Sequence, residues 1–224
     1  MVVLRTTRKL RGLLPITGDQ GASSDGALGD WYVNRFVVDR RPLLIVMSEL
    51  SLFSVITPAR EVRSLPQRLA SIVAGRLRGI GIDERLVEAE AAAMTPVIIG
   101  GTKDRSVLGS LIEFCRLAEL SLPINGWDET SLPEIETFLQ GTPCRCGGRS
   151  EDTIFPADKT RRLLEERWAA DAGRVAVAAR LTSVPMMASG DSNPATFPFY
   201  GLDMSVLRTY RLSVIRHTGN PLTR

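Results

Sequence analysis

The chain has 224 residues, of which 44% are hydrophobic, 24% charged and 6% aromatic, enough to bury a full core in one domain with an appendage or in two small domains. Net charge is +3 but uneven, with 12 basic and 6 acidic side chains in residues 1–80 against 6 and 11 in residues 81–150. No run approaches eighteen apolar residues, no block of five or six like charges occurs, and charges interrupt the first nine positions, which argues against a membrane span and a secretory leader and sets the expectation of a soluble cytoplasmic protein.

Val2 to Thr6 is a β-branched run and reads as a strand, followed by one or two helical turns from Arg8 to Leu14 that Pro15 ends. Residues 17–29 are mostly glycine, serine and aspartate, the composition of a mobile surface loop. From Trp31 to Thr57 the pattern turns β: Tyr32, Phe36 and Val38 alternate with Val33, Arg35 and Val37, Leu43 to Met47 is continuously apolar, and Leu52 to Ile56 follows a break. Asp39-Arg40-Arg41-Pro42 makes the first turn. Connections this short join only antiparallel neighbours, so the region is a three-stranded meander with its middle strand the most buried.

Pro58 ends the sheet, and Ser64 is the expected N-cap of a helix carrying Leu65, Leu69, Ile72, Val73 and Leu77 on one stripe. Asp83 caps a second helix to about Met94, on which Glu84, Glu88 and Glu90 read as a solvated face. Val97 to Ile99 is a short strand ending in Gly100-Gly101. A helix then starts near Asp104 or Ser106 and runs to Leu120, with apolar residues around most of its circumference, which predicts the most buried helix and gives Gly109 a close approach to the sheet. Leu132 to Leu139 and Lys159 to Trp168 are further helical stretches. The fold class is α+β: an antiparallel β-meander with additional strands, packed against three or more helices. Residues 1–168 form one domain, and residues 169–224, with one strand-like run at Tyr210 to Ile215, read as a poorly ordered or appended extension.

Leu28-Gly29-Asp30-Trp31-Tyr32 and Asp104-Arg105-Ser106-Val107-Leu108-Gly109-Ser110, together with the opening Met1 to Leu10 and Pro58-Ala59-Arg60-Glu61, resemble a bacterial domain-of-unknown-function family, DUF6933, over roughly residues 1–168. Leu111-Ile112-Glu113 departs from the polar continuation expected of that family. The resemblance implies no activity, substrate or catalytic residue.

Few chemistries have the residues they need. His217, the single histidine, sits in the tail, which argues against histidine-based catalytic and metal sites in the main domain. Cys144-Arg145-Cys146 has too few partners for zinc and the wrong spacing for a redox pair, while Cys115 fits a buried helix position. No metal or cofactor is expected. Gly100-Gly101-Thr102-Lys103-Asp104-Arg105-Ser106, between a strand and a helix, has the outline of an anion site, though the same residues also suit a turn in which Asp104 or Ser106 caps the helix. Trp31 and Tyr32, with Arg35 nearby, could line such a site with Lys103, Arg105 and Ser106.

Three functions are consistent with these features. A non-catalytic binding or interaction module ranks first. An enzyme or sensor taking a small anionic ligand at the 100–110 junction ranks second, and weak nucleic-acid binding through the basic first third ranks last. The partner is not identified by the sequence: a protein or a small anionic ligand is expected ahead of nucleic acid, and no membrane is expected.

Overall fold

The β-branched runs pair into one five-stranded sheet in a computed structural model that describes residues 1–18, 21–38, 40–125, 132–145 and 153–182. The strands are β1 (Val2–Thr6), β2 (Trp31–Val38), β3 (Arg41–Ser48), β4 (Ser54–Pro58) and β5 (Val97–Gly101), in the order β4-β3-β2-β1-β5. The meander β2-β3-β4 is antiparallel as expected, but β1 lies parallel to both β2 and β5, so the sheet is mixed. The long connections from β1 to β2 and from β4 to β5 permit this. Asp39 lies outside the described residues, while Arg40 beside it takes a left-handed φ of 61°.

The period of two divides the side chains between two cores. Val2, Leu4, Trp31, Val33, Val46 and Val55 face α1 (Leu65–Gly79), α2 (Glu84–Ala93) and Leu164 of α5 (Pro156–Thr182). Tyr32, Phe36, Ile45, Met47 and Ile56 face α3 (Arg105–Asn125) and α4 (Leu132–Gln140). A two-stranded ribbon, β6 (Cys144–Arg145) with β7 (Thr153–Ile154), precedes α5. Helix α5 carries the backbone past position 168 to Thr182. The expectations for Tyr210 to Ile215 and His217 lie outside the described residues.

Helix α1 buries Leu65, Leu69, Val73 and Leu77 at four-residue spacing. Ser64 does not cap it: a 3-10 turn over Ala59–Ser64 runs straight into the helix, and the Ser64 hydroxyl donates to the Glu61 carbonyl instead. Asp83 does cap α2, accepting from the Arg85 amide at 2.9 Å. Helix α3 is not enclosed, because Ile112 is 49% and Leu120 68% exposed, and the space above Gly109 is open. Its apolar residues form a buried stripe at Val107, Leu111, Phe114, Cys115 and Ala118 and a second stripe left outside.

Glu90 also departs from expectation. It is 1% exposed, and its carboxylate accepts from the amides of Ala27 and Leu28 and from the Trp168 indole, at 2.8, 3.2 and 2.9 Å. Residues 21–29 are consequently tied down rather than mobile, with Leu28 fully buried. Burial pushes the Glu90 carboxyl above its ordinary value despite these three donors. Glu136 of α4 works similarly at the sheet's outer edge: it accepts from the Ile56 amide at 2.6 Å, while Gln140 donates to the Ser54 carbonyl at 3.1 Å. Arg76 Nε lies 2.5 Å from Glu136 Oε2, an ionic contact without hydrogen-bond alignment.

Two outcomes are expected. Glu90→Gln sets an amide NH2 against donors and should cost about 1–3 kcal/mol in urea denaturation. It should also release hydrogen-exchange protection at Ala27 and Leu28, and unchanged protection there would contradict the anchoring role. Burial pushes the Glu136 carboxyl up to about 7. A raised folded-state value means that its contribution to stability falls as pH rises from its ordinary 4.5 toward about 7, by roughly 3 kcal/mol, so Glu136→Gln should flatten that decline.

Candidate functional site

At the carboxyl ends of β1 and β5 the chain places four charged side chains around one buried point. Arg5 and Asp30 are each 1% exposed. The Arg5 guanidinium donates through Nε to Asp30 Oδ2 at 2.8 Å, places Nη2 at 2.8 Å from the same oxygen, and reaches the carbonyls of Ala22 and Gly101. Asp30 Oδ1 accepts from the Ser24 amide and hydroxyl at 3.0 and 2.8 Å. Lys103, its side chain 43% exposed, closes the cluster at 2.8 Å from Asp30 Oδ2 and 3.6 Å from Glu49.

Two glycines make room for this arrangement. A Cβ on Gly100 would meet Arg5 Nη1 at 2.8 Å, and Gly29 takes φ +73° where a Cβ would meet Leu50 at 2.9 Å. Gly100 and Gly101 are thus paired strand residues, opposite Arg5 and Thr6, rather than a flexible anion-binding loop. Burial raises the Asp30 carboxyl, but the hydrogen bonds from Lys103, Ser24 and Arg5 outweigh it and hold the group below its ordinary value.

The six residues singled out in the sequence are dispersed around this cluster. Trp31 and Tyr32 are both fully buried, on opposite faces of the sheet. The Trp31 ring meets Phe53 edge-on at 6.5 Å. Tyr32 accepts from the Asp104 amide through its hydroxyl at 3.2 Å, and burial raises its phenol. Lys103 joins Asp30 and Glu49, as described. Arg105 and Ser106 are exposed at the start of α3, whose first amides, those of Ser106 and Val107, are taken by Asp104 Oδ1 at 2.7 and 3.3 Å. The sheet separates the Trp31 ring from Arg105 and Ser106.

Arg35 lies elsewhere, on an open groove of about 800 Å³ between β2, the 3-10 turn Arg8–Leu10 and α3. Lys9, Asn34, Val37, Ile112, Arg116 and Glu119 line it with Arg35. Ile112, Arg116 and Leu120 recur every four residues, the one sequence signal that could have pointed to an outward face of α3. Cys115, at the base, accepts from the Asn34 side-chain amide at 3.7 Å, and burial pushes its thiol up to about 11. Cys144 contacts the Ile154 carbonyl at 3.7 Å, and Cys146 lies outside the described residues. Among the described residues no three histidine, cysteine, aspartate or glutamate side chains gather as metal ligands, and no helix is long and apolar enough to cross a membrane.

These features define an α+β domain with a salt-bridged interior and an open flank. The chain belongs to the DUF6933 family, a domain of unknown function, which it matches over residues 3–159. No curated protein matches it.

Removing Arg5 strands a buried carboxylate. Arg5→Met is expected to lower stability by about 3–5 kcal/mol. Lys103→Met, at a half-exposed position, should lower it by only about 0–1 kcal/mol. Equal losses in urea titrations would displace Arg5 as the anchor. Because the folded-state value of Asp30 is depressed, its contribution is complete above its ordinary 3.8 and lost as pH falls through the folded value, so Asp30→Asn should remove that acid limb.

Proposed function

We propose that this protein is a non-catalytic binding or interaction module, and that its contact surface is the groove between β2 and α3. The observation that carries this reading is where the polar groups are already engaged. Arg5, Asp30, Lys103 and Glu49 are joined to one another, and Asp104 occupies the first amides of α3. On the groove, Lys9 and Arg35 have no carboxylate within salt-bridge distance among the described residues, and Ile112 and Val37 are half-exposed. Half-exposed apolar side chains edged by charge favour a protein contact.

A small anionic ligand at the 100–110 junction is the second reading. In its favour, Arg105 and Ser106 are exposed. Against it, Lys103 is neutralised by two carboxylates. Nucleic-acid binding through the first third has the least support: Arg5 is buried, and Arg68, Arg76 and Arg78 each contact a carboxylate.

The test is a photo-crosslinking side chain, benzoylphenylalanine, placed at position 112 or, as a control, at position 88 on the exposed face of α2, in cells that express the full chain. A protein adduct of defined mass at 112 and none at 88 is expected. No adduct at 112, together with a saturable thermal shift by a nucleotide, sugar phosphate or organic anion that Arg105→Ala abolishes, would replace this reading with the second.

A further inference from the structure

Both outer edges of the sheet are closed by groups from elsewhere in the chain. Along β5, the Thr17 amide donates to the Ile99 carbonyl, and the Ile99 amide donates to the Thr17 hydroxyl, each at 3.0 Å. Along β4, Glu136 and Gln140 bond the backbone of Ile56 and Ser54. Sheets close their edges in this way to prevent other strands from pairing with them.

Among the described residues, one stretch inside the sheet is left open. β1 pairs with β2 only at Trp31, Tyr32 and Val33, while β2 continues to Val38. The direction of its backbone groups follows from two bonds. The Asp30 carbonyl accepts from Glu49, so even-numbered residues turn toward β3, and the Val33 carbonyl accepts from Thr7, so odd-numbered ones turn toward β1. Pro42 stands opposite Val37 and has no N–H to give, consistent with that alternation. The N–H and C=O of Arg35 and Val37 therefore point into the space that β1 vacates, and no described residue bonds them. That space is the groove, with Ile112, Arg116 and Glu119 of α3 along one side and Lys9 at its end.

We propose that Arg35 to Val37 is a strand-addition site, at which an extended segment of a partner protein continues the sheet in the place β1 leaves empty. The inference rests on the groove being the interaction surface and names its occupant. The backbone supplies four groups for main-chain hydrogen bonds, and the walls select by side chain. Lys9, Arg35 and Arg116 outnumber Glu119, with Arg116 shared at 3.3 Å with the exposed Glu113. Val37 and Ile112 offer apolar contact. Each face of an added strand thus meets both an apolar and a cationic side chain, and the complementary segment is net acidic with apolar residues among its acidic ones.

The test pans a displayed library of random twelve-residue peptides against the full chain. Enriched peptides should be net acidic and contain apolar residues. N-methylation of their alternate amides should weaken binding at least tenfold, as should Arg35→Glu. Val37→Pro should do the same, because it removes an outward N–H and leaves the β2–β3 ladder intact. If Val37→Pro alters the fold, as read by circular dichroism, the N-methylated peptides decide alone. Enriched peptides that bind equally well after N-methylation would overturn strand addition and leave the interaction surface standing. A dimer of the full chain that dissociates in Val37→Pro would overturn the proposal by making a second copy the occupant. No enriched peptide, with the crosslink at 112 still formed, would overturn the proposal alone, whereas no enriched peptide and no crosslink would remove both readings.

Discussion

The carboxylate of Asp30 is the point on which the architecture closes. Taking it out of water is costly, and the cost is met chiefly by Arg5 from β1 and Ser24 from the preceding loop, with half-exposed Lys103 from the β5–α3 junction adding a weaker contact. Each donor belongs to a different segment, so the cluster cannot form piecemeal. It explains why β1 lies between β2 and β5, why position 100 has no side chain, and why the loop before β2 has one path. It also keeps the charges of Arg5 and Asp30 out of contact with solvent.

Glu90 and Glu136 repeat the device at other seams. In each, a carboxylate from a helix accepts backbone N–H groups from a segment remote in sequence, 63 residues away for Ala27 and 80 for Ile56. Such bonds do for a loop or a strand edge what another strand would otherwise do. They differ from Asp30 in their electrostatics. Asp30 has cationic donors and is held ionised, whereas at Glu90 and Glu136 burial prevails and the carboxyl rises. The molecule thus couples its loop and its sheet edge to protonation in the opposite sense from its central cluster.

This division explains what could be read from the sequence. The meander, the α1 stripe and the α2 cap were legible because they depend on neighbours a few residues apart. The mixed character of the sheet was not, because pairing of β1 with β2 and β5 depends on contacts across long connections. Glu90 resembled a solvated glutamate because nothing local distinguishes it from Glu84 or Glu88; only Ala27, Leu28 and Trp168 give it a buried role. Helix α3 was misread for a related reason, since an all-round apolar pattern fits an enclosed helix and a helix with one unpartnered face equally well. Of the six site residues named from the sequence, Arg35 borders the groove and Lys103 belongs to the cluster, and no local pattern told these two surroundings apart.

The groove and the cluster are consequences of one event, the early end of β1. After Thr6 the chain turns through Arg8–Leu10 and sends Leu10 into the core, so β1 stops level with Val33. Had it continued, its side chains would have filled the space beside Arg35 and Val37. Because it stops, Arg5 is near the end of its strand, where its guanidinium can reach the loop before β2, and the backbone two residues beyond Val33 is left without a hydrogen-bonding neighbour among the described residues. Phe36 is held by the core beneath α3, so this part of β2 does not need an added strand in order to stay folded. Surface residues at Lys9, Arg35, Ile112 and Arg116 can therefore change without disturbing Asp30, and recognition at this flank is separable from the stability of the domain.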